Sequence, residues 1–446
     1  MIGKSETYLY KIQEYNADSI GALLEDELFS IIKPADKVII KPNWVNHSHL
    51  DKPDDWDYVI THPDVITAVI IKVLKFLNEN GEITFCDSPE GETDFARLLS
   101  LYPVDLWKEK AHEKGVKLSI LDLRDFCWKK SDGIIVDRTR LPGDPAGNVD
   151  VNLQGRKSEF LNHQKSPRGY YGADFNMTET NKAHDGFNNL YRVSKTVIEA
   201  DVFINIPKLK THKKGGITCC LKNLVGINTY KNYLPHHSEG SVKEKGDQFP
   251  GENINSKIEG PLMAFLKQNL LQNTTIAKWF KPFKKMGRLI FGDTNKVIRS
   301  GNWYGNDTIW RMILDLNKVL FYAGTDGAMR PSDFIQAKKY IGIVDGILGG
   351  QGNGPLYPDP IQAGFLITGS NPVSIDVVCA RVMGFDPAKI PAIKNAFAIK
   401  EYPICDFAEE DIIIHFKSGQ YTLKDFPAEN IVHFEPHYGW KGHIEY

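Results

Sequence analysis

The sequence is short of the residues that would hold a metal cluster or a disulfide frame. Its 446 residues include six cysteines, at positions 86, 127, 219, 220, 379 and 405, and none sits in a CxxC or CxxH pair. That excludes an intrinsic iron–sulfur cluster motif and a zinc knuckle, and so few cysteines in so long a chain do not make a disulfide scaffold. An excess of charge of either sign is also missing: 54 basic residues face 56 acidic ones, for a net charge of −2. Binders of nucleic acid ordinarily carry a basic excess, so no nucleic-acid partner is expected. There is no uncharged apolar run of about 18 residues, so no membrane-spanning helix is expected. The opening residues, MIGKSETYLYKIQEY, lack the apolar core of a signal peptide. The expected location is therefore cytoplasmic.

What the chain does have is an ordinary share of hydrophobic residues, 42 %, enough for a core without metals or staples. Residues 36–43, DKVIIKPN, read as a buried strand ending in Lys41, Pro42 and Asn43. Thr61-His62-Pro63-Asp64 then opens a helix, with Thr61 as its cap and Pro63 in its first turn. Val65, Ile66, Val69, Ile70, Val73 and Leu74 give that helix an apolar stripe, and Asn80-Gly81 stops it. The strand Ile83–Cys86 follows and ends in Asp87-Ser88. This is a βαβ unit, whose strands pair in parallel. A helix and a strand over 105–123, a helix at 194–200 and a strand at 202–206 repeat the alternation. Later come a helix from about Asp307, the strand 340–344 ending in Asp345-Gly346, the strand 365–367 and a helix over 372–383.

The pattern predicts an α/β fold with a mostly parallel central sheet, Rossmann-like lobes around a cleft, and long polar insertions. The expected domains are an N-terminal lobe over 1–140, a polar insertion over 141–190, a second lobe over 191–400 with an inserted helical segment at 257–300, and an extension over 401–446.

Four apolar strands thus end in chemically active clusters: Lys41 with Asn43, Asp87 with Ser88, Lys208 with Lys210 and His212, and Asp345 with Gly346. Parallel sheets bind ligands beyond the carboxyl ends of their strands, so these clusters are expected to share one crevice. PKLKTHKKGG at 207–216 is the densest of them, and reads as a basic loop leading into a helix at Lys222 and Asn223. Lysines beside a helix N-terminus favour an anion. The spacing matches no phosphate-binding loop of the Walker type. GGQGNGP at 349–355 reads as a glycine loop, with Gly350, Gly352, Asn353 and Gly354 able to approach a ligand closely. His236 and His237 titrate near neutral pH and are candidate bases or metal ligands. Cys219 and Cys220 lie beside the basic loop. The stretch 258–292, with Trp279, Phe280, Phe283 and four lysines nearby, has the composition of a peripheral membrane contact.

These motifs resemble the family called domain of unknown function 362. The resemblance rests on VIIKPN at 38–43, THPDVITAV at 61–69, ITFCDS at 83–88, ADVFINIPKLKTHKKGGITCCLKNLVG at 200–226, KNYLPHH at 231–237, NDTIWRMILDLNKVL at 306–320, IGIVDGILGGQGNGP at 341–355 and TGSNPVSIDVVCARVMGFDP at 368–387. Some members of that family are fused to ferredoxin-like iron–sulfur modules, and this chain lacks their cysteine-rich part. The layout is distantly similar to that of lactate-racemase-type enzymes, which act on 2-hydroxy acids.

Three functional readings follow. The first is an enzyme for a small anionic substrate, carboxylate or phosphorylated. In it Lys41, Lys208, Lys210 and Lys222 hold the anion, and Asn43, Ser88, Asn223 and the glycine loop add hydrogen bonds. His212, His236 or His237 is the general base, and Asp87 and Asp345 orient it or hold a divalent metal. Proton abstraction, metal-assisted hydrolysis and group transfer all fit. Alanine at Lys208 or His212 is expected to abolish ligand binding and leave the melting temperature nearly unchanged. The second reading is a redox or metal-binding accessory protein using Cys219, Cys220 and the histidines. The third is a membrane-surface or cell-envelope assembly factor.

Overall fold

A computed structural model describes residues 4–131, 134–174, 176–252, 297–331 and 338–446. The basic aromatic stretch at 258–292, and with it almost all of the expected inserted segment 257–300, lies outside them. Among the described residues eleven strands form the central sheet: β1 (Glu6–Lys11), β2 (Lys37–Pro42), β3 (Glu82–Asp87), β4 (Lys117–Asp122), β5 (Val202–Ile206), β6 (Lys208–His212), β7 (Gly216–Thr218), β8 (Lys339–Asn353), β9 (Tyr357–Gly369), β10 (Ile413–Phe416) and β11 (Gly419–Tyr421). Their order is β11-β10-β1-β9-β8-β5-β2-β3-β4, with β6 also on β8 and β7 on β6. From β8 through β5, β2 and β3 to β4 every pairing is parallel. β9 is antiparallel to both β8 and β1. The fold is thus α/β with a mostly parallel sheet, as the sequence pattern predicts.

One sheet runs through all the expected lobes. β2 from the first pairs with β5 from the second, and β10 from the C-terminal extension pairs with β1. The runs of Val and Ile make such strands because they fit a pleated surface buried on both faces. Their side chains alternate between two cores. Val38 and Ile40 of β2, with Val202, Ile204 and Ile206 of β5, pack under the helices α1 (Pro63–Phe76) and α2 (Val104–Glu113). Ile39 and Phe203 join the opposite core, with α3 (Ile309–Tyr322) and α4 (Pro372–Val382). Burial of Val65, Ile66, Val69, Ile70 and Val73 along α1 stabilises its seat by about 1.5–3 kcal/mol per side chain.

Several local expectations are corrected. Thr61 does not cap α1. Its hydroxyl donates to the Ile206 carbonyl at 2.6 Å and accepts from the Asn43 N–H at 2.8 Å, tying the end of β2 to the end of β5. His62 caps the helix instead, its Nδ1 accepting from the Asp64 N–H at 3.2 Å. The span 141–190 is not structureless. Its strand Asn148–Asn152 pairs with Leu190–Ser194, and its strand Tyr170–Gly172 pairs with Pro235–Ser238. In the latter pair Pro235 lies opposite Gly172, His237 opposite Tyr171, and Ser238 opposite Tyr170.

The basic loop and the glycine loop are both strands. Beyond Pro207 the chain stays extended as β6, with Lys208 opposite Asp345 and Lys210 opposite Gly350 of β8. β8 does not end at Asp345-Gly346. It runs on to Asn353 and returns as β9. Glycines permit this because the neighbours stand so close: a Cβ at Gly350 would lie 2.9 Å from Pro358 and from the Tyr58 carbonyl.

Lys208 and Asp345 are therefore sheet residues. Both are fully buried, and Lys208 Nζ lies 2.6 Å from Asp345 Oδ2. The same ammonium donates to the Tyr15 hydroxyl at 2.9 Å and the Leu348 carbonyl at 3.2 Å, and Asp345 accepts from Tyr15 and from the His62 N–H. Every donor on Lys208 is used inside the protein. This corrects the expectation that Lys208 is dispensable for stability. Lys208→Ala leaves a buried carboxylate without its cation and is expected to cost about 3–5 kcal/mol in chemical denaturation. Replacing both partners, Lys208→Met with Asp345→Leu, is expected to recover most of that loss. A double variant no more stable than Lys208→Ala contradicts the assignment.

Candidate functional site

The parallel strands β2, β3 and β5 end along one edge of the sheet, and a cavity of about 130 Å³ lies against it. Its floor is a polar lattice. Lys41, the fifth residue of β2, reaches Asp87, the last of β3, at 2.9 Å. Asp87 also accepts from the backbone N–H groups of Trp44 at 2.9 Å and Ser88 at 2.8 Å. Burial pushes its carboxyl upward, opposed by Lys41 and the Trp44 N–H. Three donors on one carboxylate favour the ion. Asn223, on the one-turn helix Cys220–Asn223, accepts from Lys41 at 3.3 Å and Asn43 at 2.8 Å, and donates to Pro42 and Asn205. Lys41, Asp87 and Asn223 thus spend their hydrogen bonds within the floor itself.

The walls are cationic. Lys210, Lys213 and Lys214 come from β6 and the turn after it, Lys222 from the short helix, and Lys231 from the segment before Pro235. Lys231 donates to the Ser88 carbonyl at 2.6 Å, and Lys210 to the Val59 carbonyl. Lys222 has no hydrogen bond or ion pair among the described residues. Burial, with other cations adding to it, pushes Lys222 and Lys231 down to about 8 and Lys210 well below its ordinary value. Against these lysines and Lys41 stand two lining carboxylates, Asp87 and Glu90.

Two imidazoles face the cavity in opposite tautomers. His212 Nδ1 accepts from the backbone N–H of Lys214 at 3.2 Å and of Gly215 at 2.9 Å, so its neutral ring carries the proton on Nε2. His236 Nδ1 lies 2.9 Å from the Leu234 carbonyl, which only accepts, so the proton is on Nδ1 and Nε2 holds a lone pair. Burial and the surrounding lysines push both rings well below the usual histidine range, which keeps them neutral at neutral pH. Asn43 Oδ1, Ser88 Oγ and Thr218 Oγ1 are buried beside them without a hydrogen-bond partner. Buried polar atoms are seldom left so.

Of the residues expected from the sequence, the cavity collects Lys41, Asn43, Asp87, Ser88, Lys210, His212, Lys222, Asn223 and His236. Lys208 and Asp345 stand apart in the sheet. Asp87 and Asp345, expected to orient the base or hold a divalent metal, are each matched by a lysine of their own. His237 does not line the cavity; its Nδ1 lies 3.1 Å from Nζ of the lining residue Lys214 and its Nε2 3.3 Å from Glu239. Gly350, Gly352 and Gly354 do not line the cavity; Pro355 and Leu356 do, and Asn353 lines a smaller space next to it. Lys231 was missed by the sequence reading, although it stands in the same KNYLPHH motif as His236. Cys219, Cys220 and Asp376 bring their side-chain ends within 4.8 Å of one another. Asp376 accepts there from the backbone N–H groups of Cys220 at 2.7 Å and Leu221 at 3.0 Å, and burial raises both thiols well above the usual range. The group caps the short helix that carries Lys222 and Asn223.

Residues 168–381 match the model of the family described as a domain of unknown function, DUF362. This is the family that the sequence motifs resemble, and the matched span holds β5 through most of α4. A thylakoid-associated protein of Synechocystis sp. is 25 % identical over 392 residues, covering 86 % of this chain and 76 % of its own length. A crystal structure of a Thermotoga maritima protein aligns over 80 % of this chain at 10 % identity with a TM-score of 0.31, and the match spans 57 % of that chain. No helix among the described residues is long and apolar enough to cross a membrane.

Gly226 closes the floor. A Cβ there would lie 2.0 Å from Asp87 Oδ1 and 2.7 Å from Lys41 Nζ. Gly226→Ala is expected to cost about 1–3 kcal/mol, because the carboxylate it strikes is held on three sides. Denaturant titration of the variant measures this, and unchanged stability contradicts the close approach.

Proposed function

With residues 168–381 matching that family's model, we propose that the chain is an enzyme that binds a small anionic substrate in the lysine-walled cavity and abstracts a proton from it through His236. The observation that carries this reading is the pair of imidazoles with opposite tautomers in a cavity of net positive charge. Lysines and the His212 Nε2–H would hold a carboxylate or phosphoryl group, each charge-assisted hydrogen bond contributing about 1.5–3 kcal/mol. The neutral His236 Nε2 is then the group with a free lone pair, as a general base requires. Its Nδ1–H, held by the Leu234 carbonyl, fixes the ring and stabilises the imidazolium that forms. The lysines stabilise the negative charge left on the substrate. His212 is the less suitable base, because its free nitrogen already carries a hydrogen.

Two measurements test the reading. The first is affinity for sulfate, whose own charge is constant above neutral pH. Lys222 and Lys231 bind an anion as ammonium ions, so affinity should fall as pH rises through about 8. Lys222→Ala should weaken binding by about tenfold or more. Affinity that is flat with pH and unchanged in the variant contradicts anion binding at this wall. The second is proton NMR in deuterium oxide with pooled small carboxylates and phosphate esters. Loss of one C–H signal is expected with the native protein and not with His236→Gln. Exchange that persists in His236→Gln removes that residue as the base.

A second reading is favoured by the name of the Synechocystis relative and by the basic, aromatic composition of 258–292. In it the chain works at an anionic membrane surface. Co-sedimentation with anionic vesicles at low salt, absent with neutral vesicles, is its expected signature.

A further inference from the structure

We propose that the cavity continues into a second anion subsite, so that the ligand carries two anionic groups, one beside His212 and Lys222 and one beside Arg299 and His437, with Lys213 and Lys214 between them. The inference rests on the reading of the main cavity as an anion site and names the class of ligand it takes.

A smaller space of about 40 Å³ adjoins the main cavity and shares Lys213 and Lys214 with it. A single water needs roughly 10–15 Å³ by this measure, so the space matches the oxygens of one carboxylate or phosphoryl group. Arg299 adds a third cation, and among the described residues no carboxylate lines the space. A surface lined by cations attracts anions.

The subsite also repeats the chemistry of the main one. His437 is buried, and its Nδ1 accepts from the Gly439 N–H at 3.1 Å. Like His212, it therefore keeps its proton on Nε2 and has a donor left to offer. Burial, with Lys213 adding to it, pushes this ring down to about 3, so it is neutral in the folded protein. Each space thus pairs lysines with one imidazole donor whose tautomer is set by a backbone N–H.

The walls are held by contacts between segments far apart in sequence. Lys213 donates its N–H to the Gly354 carbonyl at 3.0 Å, and its carbonyl accepts from Trp440 Nε1 at 2.9 Å. Asn302 accepts from the Arg299 N–H at 2.7 Å and donates to the Tyr438 hydroxyl at 2.6 Å. The tip of the β8–β9 hairpin, the segment after β6, residues 299–302 and the C-terminal segment thus converge here. Asn353, expected from the sequence to touch a ligand, lines this second space.

The test is calorimetry with methylphosphonate against methylene-, ethylene- and propylene-bisphosphonate, and with acetate against malonate, succinate and glutarate. The two series separate phosphoryl from carboxylate ligands, and the range of lengths covers the spacing of the subsites. At least one two-headed member is expected to bind about tenfold tighter than its single-headed reference. Arg299→Ala should remove that advantage and leave the single-headed affinity within about twofold. His437→Asn, which keeps an acceptor for the Gly439 N–H and loses the Nε2–H, should do the same. Binding of the single-headed probes with no gain from any second group overturns the subsite alone. Equal losses for both kinds of ligand in the two variants also overturn it. No binding by any probe overturns the anion reading as well.

Discussion

The ion pair between Lys41 and Asp87 is the contact on which the site depends. It joins the ends of two adjacent parallel strands, where the backbone leaves its ladder and polar groups must find other partners. Asp87 takes in the N–H groups that the departing chain exposes at Trp44 and Ser88, and Lys41 passes the connection to Asn223. Asn223 in turn reaches Asn205 at the neighbouring strand. Three neighbouring strands are thereby held by one network of hydrogen bonds. The lysines of the walls then hang from a floor that has little freedom to move.

Buried lysines in this protein meet two different fates. Lys41 and Lys208 each have a carboxylate at contact distance, and their charges cancel locally. Lys210 and Lys231 have only carbonyl oxygens, which solvate an ammonium without neutralising it. The distinction decides where positive potential survives. It is quenched inside the sheet and left standing in the cavity, where the depressed values of Lys222 and Lys231 record the strain of cations crowded out of water. Protonation of these lysines and anion binding are linked: an anion in the cavity would raise their affinity for protons, and losing the protons would weaken its hold.

Much of this was legible in the chain. The alternation of apolar runs and amphipathic stretches names the parallel sheet, and the polar residues at strand ends name most of the cavity's floor. What the pattern hides is continuity. PKLKTH looks like a loop because a proline, two lysines and a histidine interrupt it, yet β6 carries on from β5 because Lys208 finds Asp345 across the ladder. The glycines of β8 look like a turn, and are a strand because neighbouring chains press close on both sides. Thr61 has the chemistry of a helix cap, but tertiary partners at Asn43 and Ile206 claim its hydroxyl first. In each case a partner distant in sequence decides, and local propensity has no access to it. The tautomers of His212 and His236 are hidden for another reason: their partners are only two or three residues away, but whether an N–H or a carbonyl lies beside Nδ1 depends on the path of the backbone there.

The short ribbon between Tyr170–Gly172 and Pro235–Ser238 has a consequence for how this chain can vary. Of its adjacent histidines, His236 lines the cavity and His237 lies against Lys214 and Glu239. Sliding the strand by one residue would take the bare Nε2 of His236 from its place in the cavity wall. Single-residue insertions or deletions between Tyr233 and His236 therefore carry a chemical penalty far larger than their effect on packing. Relatives of altered length should absorb their extra residues elsewhere, on segments whose phase nothing reads.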